Sequence, residues 1–147
     1  MIGLPGSGKS SFYRQRYAAT HDHVSKDAMR NNRQPQRRQD RLLAESLGAG
    51  RSVVVDNTNP DVATRAALIA AGRRHGAQIM GYFFPAEARE ALRRNRARSG
   101  RDRVPDVAIF TTRKRLDVPS YDEGFDRLFV VTLVESSESF ALTPVER

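Results

Sequence analysis

Residues 3–10 read Gly3-Leu4-Pro5-Gly6-Ser7-Gly8-Lys9-Ser10, and this octet decides the fold. It matches G-x-x-x-x-G-K-S, a phosphate-binding loop. Successive backbone N–H groups in such a turn form a concave nest for phosphate oxygens. Gly6 and Gly8 let the backbone come close. Lys9 is placed to reach the β- and γ-phosphates, and the Ser10 hydroxyl to ligate Mg²⁺. Gly3, Pro5, Gly6, Ser7, Gly8, Lys9, Ser10 and Ser11 are therefore the candidate ATP-binding set, with Ser10 as metal ligand. The loop does not name the acceptor, since GTPases, ATPases and small-molecule kinases all carry one.

A loop of this kind normally follows a buried strand, yet only Met1 and Ile2 precede Gly3. Strands usually run about 5–6 residues. The first strand is expected to be truncated, leaving its neighbours without a central partner. Further apolar residues upstream of Met1 are the corresponding expectation.

Outward from the loop, helical and strand patterns alternate, which predicts an α/β fold with a mostly parallel sheet flanked by helices. "KSSFYRQRYAAT" is the helix fed by the loop, and "HDHVSKDAMRNNRQPQ" a polar loop with a short helix, broken by Pro35. "RRQDRLLAESLGAG" is a helix closed by Gly48. "RSVVVDNTNP" is a short, fully buried strand and polar turn. A helix follows, with Pro60 near its first turn and Gly76 after its end. "AQIMGYFFP" is a strand, and "AEAREALRRNRARSGR" a helix running into an arginine-rich loop. "VPDVAIFTTRKRLDV" is a helix begun by Pro105, and "GFDRLFVVTLV" the last strand. Residues 135–147 read as a loosely held tail. No repeat or linker divides the chain, so 1–147 is expected to be one P-loop domain.

The 147 residues carry a formal charge of +8, and only three of the 25 basic residues are lysines. Arginine suits bidentate phosphate recognition, and a basic surface attracts nucleic acid. Compositional bias toward arginine would give the same count. The chain has no cysteine, which excludes disulfides and thiolate metal sites. No apolar run approaches the ~18 residues of a membrane span. These features fit a cytoplasmic protein.

A kinase needs a base, a positive acceptor contact and charges over the transferring phosphoryl. Asp27 follows the first helix and is the candidate base, with Arg30 three residues on as a phosphate clamp; a surface ion pair is the plainer reading. Asp56 ends a strand, where a carboxylate can meet the metal or its waters. Asn57, Thr58 and Asn59 follow it on a turn that also reads as an Asx-turn. Arg94, Arg96 and Arg98 can close over ATP as a lid or form a solvated face. His21 and His23 flank Asp22 without an evident third metal ligand.

Together these stretches resemble a known family. "GLPGSGKSSF", "HVSKD", "SVVVDNTNPDVATRAALI", "ALRRNRAR" and "VPDVAIF…RKRLDVPSYDEGFDRLFVV" occur in the order found in the kinase module of polynucleotide 5′-kinase/3′-phosphatases, across nearly the whole chain. The resemblance implies a P-loop kinase with an AAA-like ATP-binding domain, ATP and Mg²⁺ as donor and cofactor, and a nucleic acid with a free 5′-OH as partner. It gives Asp27 the role of general base and Arg30 a place on the acceptor's 3′-phosphate. By the same resemblance Asp56, Asn57 and Asn59 match the segment that faces the acceptor, and Arg94 and Arg98 match the lid arginines, with Arg96 a substitute. The D-x-D-x-T phosphatase signature is absent, so only kinase chemistry is implied. Lys26 stands where an arginine often precedes the base. Zeta toxins, antibiotic phosphotransferases and a seryl-tRNA kinase share parts of the layout, which keeps a small-molecule or nucleotide-sugar acceptor, or ATP binding without turnover, as alternatives.

Overall fold

The computed structural model describes residues 1–85 and 87–147. Among the described residues are six strands and five α-helices: β1 Ile2–Gly3, α1 Lys9–Arg16, β2 Asp22–Val24, α2 Pro35–Gly48, β3 Val53–Val55, α3 Val62–Arg74, β4 Met80–Phe84, α4 Ala88–Ala97, α5 Asp106–Arg115, β5 Arg127–Val134 and β6 Ser139–Pro144, alternating as far as α4. Strands β1, β4 and β5 are parallel, β6 joins β5 antiparallel, and β2 pairs with β3 in a separate parallel ribbon. The α/β architecture with a mostly parallel sheet is the one the alternating pattern predicts. Ala86, where the arginine-rich helix is expected to begin, lies outside the described residues.

The short first strand splits the sheet. β1 pairs with β4 through Ile2–Phe83 and Gly3–Phe84. On its other side the Met1 amine donates to Val55 O at 3.1 Å and Gly3 N to Thr58 O at 3.0 Å. β1 therefore lies between β3 and β4 but reaches only their C-terminal ends. Behind it opens a cleft of about 470 Å³ lined by Met1, Val53, Val55, Leu68, Ile79 and Tyr82, among others. Val53–Val55 are consequently only half-buried, a correction to the fully buried strand expected there. Burial pushes the Met1 amine down to about 5.

The segment expected to be a loose tail is instead partly a strand. β6 pairs with β5 over six residues, and Phe140 is buried against Phe12, with ring centroids 5.3 Å apart. A side chain at Gly8 would meet Phe140 at 3.3 Å, so β6 also backs the phosphate loop. Five polar residues, 135–139, precede Phe140 in sequence, and its aromatic partners Phe12 and Phe84 are distant, which is why the local pattern conceals the packing.

Two further readings change. Pro35 does not break a loop; it is the first residue of α2, where its missing N–H costs nothing. "HDHVSKD" contains β2, too short and polar to announce itself. Pro60 precedes α3, whose cap is Asp61, accepting from Thr64 N at 2.8 Å.

The core follows the apolar residues of each strand. Phe12 packs among Tyr82, Phe84 and Phe140 on one side of the sheet, and Ile69, Phe83, Phe125 and Leu128 fill the other. Arg65, 2 % exposed, makes a double ion pair with Glu123 at 2.6 and 2.8 Å. It also donates to the carbonyls of Pro60 at 2.8 Å and of Asn59 and Asp117 at 3.2 Å. The late P-x-x-x-E-G-F stretch thus holds the D-N-T-N-P turn from below.

Candidate active site

The loop has the backbone its glycines require. Gly6 and Gly8 have φ of +80° and +97°, and a Cβ on Gly6 would lie 2.8 Å from Ala91 O. Gly8 begins α1, whose N–H groups point toward the loop, an arrangement that favours an anion. Gly3 is in β1, and its N–H is taken by Thr58, so it shapes the loop's entry and cannot donate to a phosphate. The Ser11 hydroxyl accepts from Arg14 at 3.1 Å.

The Lys9 amine is buried and donates to Leu4 O at 2.6 Å, Gly3 O at 3.0 Å and Ser7 Oγ at 3.3 Å. Burial lowers it to about 8; Asp56 and Asp27 oppose the shift and Arg98 adds to it. These three charges come from elements distant in sequence. β3 brings Asp56, the turn after β2 brings Asp27, and the loop after α4 brings Arg98.

Asp56 is buried, and its Oδ2 accepts from Ser10 Oγ at 2.7 Å and contacts His23 Nε2 at 3.0 Å. Burial alone would raise this carboxyl, but the hydrogen bonds from His23 and Ser10, with the Lys9 charge, leave it below the usual value. His23 is stacked on Tyr13 with centroids 4.1 Å apart. Sequence reasoning missed this role. The usable signal is strand alternation: His23 lies in register with Val54 on the neighbouring strand, one residue from the strand's C-terminal end.

Asp27 is 77 % exposed and 3.8 Å from Arg30. Ser25 caps the 3₁₀ turn Lys26–Met29, accepting from Asp27 N at 3.3 Å. Arg30 donates to the carbonyl of Arg101, which joins this turn to the arginine-rich loop. That loop is itself anchored by Asn95, fully buried, which donates to Val104 O at 2.7 Å and accepts from Val104 N at 3.0 Å.

The structure separates the three lid arginines. Arg98 acts on Lys9. Arg94 pairs with Glu90 and lies 3.9 Å from Glu135, and Arg96 is exposed beside Asp106 at 3.3 Å. Asn57 accepts from Lys26 N at 2.9 Å and donates to Gln39 at 2.7 Å. Asn59, buried with φ 43°, donates to Met1 O at 2.7 Å. Both side chains help to position the turn.

An oxygen-only pair of Ser10 and Asp56 suits a hard divalent cation that keeps most of its waters. Among the described residues no three His, Cys, Asp or Glu side chains form a metal cluster, and no helix is long and apolar enough to cross a membrane.

Comparison with known proteins agrees with this geometry. A viral protein of Acanthamoeba polyphaga mimivirus named "Putative bifunctional polynucleotide phosphatase/kinase" is 31 % identical over 142 residues, covering 90 % of this chain and 32 % of its own length. A Schizosaccharomyces pombe protein named bifunctional polynucleotide phosphatase/kinase is 24 % identical over 129 residues, covering 85 % of this chain and 31 % of its own. The chain thus spans about a third of the length of these curated relatives. A family model described as an AAA domain matches residues 1–119, the span that holds the phosphate loop, Asp27, Asp56 and Arg98. The chain belongs to this AAA domain family, a nucleotide-binding family with the P-loop NTPase fold.

Proposed function

We propose that this domain is an ATP-dependent kinase that transfers the γ-phosphoryl of ATP to the 5′-OH of a nucleic acid. The observation that carries it is the 2.7 Å contact of Ser10 with the buried Asp56, which joins the Lys9-bearing phosphate loop to the end of β3. The names of the two relatives point to the same acceptor.

In this mechanism the loop N–H groups and Lys9 hold the β- and γ-phosphates. Ser10 and Asp56 would hold Mg²⁺, which supplies charge neutralisation on the phosphates. The acceptor approaches from the open side, where Asp27 is exposed. Its 5′ oxygen forms a bond to the γ-phosphorus as the bond from that phosphorus to the β–γ bridging oxygen breaks. The hydroxyl proton passes to an Asp27 carboxylate oxygen, and ADP leaves. Arg98 offsets charge on the transferring group, a role worth several orders of magnitude in comparable enzymes. Arg30 is placed to receive a phosphate on the acceptor.

Labelled ATP with Mg²⁺ and a panel of acceptors tests this reading. Oligonucleotides with 5′-OH ends should be labelled, and nucleosides and sugars should not. Asp27→Asn should keep ATP affinity and lower transfer by ~10²-fold or more. Labelling of a sugar in place of the oligonucleotide overturns the acceptor assignment. Intact transfer by Asp27→Asn overturns the base.

A further inference from the structure

Arginine pairing is uneven over this molecule. On α3, α4 and α5 several surface arginines have carboxylate partners: Arg73 with Asp126 at 2.8 Å, Arg93 with Glu135 at 2.9 Å, Arg96 with Asp106 at 3.3 Å, and Arg115 with Asp61; Arg74, Arg89 and Arg113 have none among the described residues. The stretch from Arg30 to Arg41 differs. It holds arginines at 30, 33, 37, 38 and 41 and a single acidic residue, Asp40, which accepts from Gln36 at 2.8 Å. Arg30 faces Asp27, and Arg41 lies 3.6 Å from Glu45. Among the described residues no carboxylate stands within ion-pair distance of Arg33, Arg37 or Arg38; Arg37 meets only the Gln34 amide oxygen, at 3.5 Å.

The unpaired group also has a shape and a fixed position. Arg37, Arg38 and Arg41 line a recess with Asn32 and Gln34, so guanidinium and amide donors share one wall. That composition suits phosphate oxygens. Arg37 and Arg38 stand in the first turn of α2, which has no acidic residue, so they add to the positive helix end. The same helix carries Gln39, buried and bonded to Asn57 beside Asp56. The recess is therefore held rigidly to the reacting end, and the chain runs from it through Arg33 to Arg30 and Asp27.

We infer that Arg33, Arg37 and Arg38 form a track for the backbone phosphates of the acceptor strand, 3′ of the nucleoside whose 5′ oxygen meets Asp27. This rests on the acceptor being a nucleic acid. The track gives affinity that grows with acceptor length and falls with salt. It does not touch the reacting atoms, so the turnover number is independent of it.

The experiment compares wild type with an Arg37→Ala, Arg38→Ala double variant on 5′-OH acceptors of two and twelve nucleotides. Equal melting temperatures establish that the variant is folded. The wild-type KM should fall at least tenfold from the short to the long acceptor at low salt. The variant should lose most of that gain, keep kcat, and keep its KM for the dinucleotide. Its salt slope on the 12-mer should be shallower by about 1.4, from roughly 0.7 per single-strand phosphate contact. A variant that matches wild type at both lengths, or that loses equally on both, overturns the track. Should wild type phosphorylate no oligonucleotide, the acceptor reading fails. Fluorescence anisotropy with a labelled 12-mer then decides the track by itself: it stands if the double variant binds at least tenfold more weakly and falls if the affinities agree.

Discussion

Ser10 and Asp56 stand 46 residues apart and meet through a 2.7 Å hydrogen bond, with the hydroxyl donating to Oδ2. This contact joins the phosphate loop to the end of β3 and creates the oxygen pair that a divalent cation needs. His23 fixes the same carboxylate oxygen from β2. Four predictions follow from this arrangement and its supports.

The pH dependence of ATP use should have a basic limb set by Lys9. In the free protein this amine is lowered from 10.5 to about 8 by burial. Below pH 8 it is charged and attracts the triphosphate. As pH rises through 8 it loses the proton, and kcat/KM for ATP, which reports free-protein groups, should fall about tenfold per pH unit. Binding ATP restores the charge, so kcat should stay flat to higher pH. A kcat/KM level to pH 9.5 would contradict the buried amine.

The lid arginines should separate in kinetics. Arg98→Ala removes the charge proposed to offset the transferring phosphoryl and should cut kcat by ~10²-fold or more. Arg94→Ala breaks a pair with Glu90 and should cost less than tenfold. Equal losses in steady-state rates would return Arg94 to the catalytic group.

Glu123→Ala should destabilise the fold sharply. It strands the Arg65 guanidinium in the interior, and breaking a buried pair costs about 3–5 kcal/mol. Arg65 also holds the carbonyls of Asn59 and Pro60, so weaker ATP binding should accompany the loss. Denaturant titration is the measurement, and a change under about 1 kcal/mol would show that the pair is dispensable.

The cleft behind Met1 should accept an added strand. Four β-branched apolar residues fused ahead of Met1 can pair with the facing edges of β3 and β4. Burying even one or two such side chains contributes about 3 kcal/mol, a rise of roughly 6–12 °C in Tm for a domain of this size. Tighter ATP binding should follow as the loop's entry is fixed. A Gly-Ser extension of equal length is the control. Identical Tm and ATP affinity for the two fusions would mean that the cleft is not a strand lane.

The order of helices and strands and the phosphate loop are legible in the chain because each rests on local physics. Glycines at the turn, Lys9 and Ser10 at its end, and apolar runs at 53–55 and 128–134 need no distant partner to be read. What the sequence could not determine depends on contacts across the chain. The amides of Asn57 and Asn59 reach Gln39 and the Met1 carbonyl, contacts that no local pattern announces. Arg94 and Arg98 look equivalent until Glu90 claims one of them. Phe140 follows a polar stretch, and its segment becomes a strand through pairing with β5 and packing against Phe12. His23 becomes part of the site because β2 and β3 run parallel in register and point it at Asp56. A side chain's chemistry is set by its residue type, but its role is set by which polar partner reaches it first. Only the tertiary structure decides that.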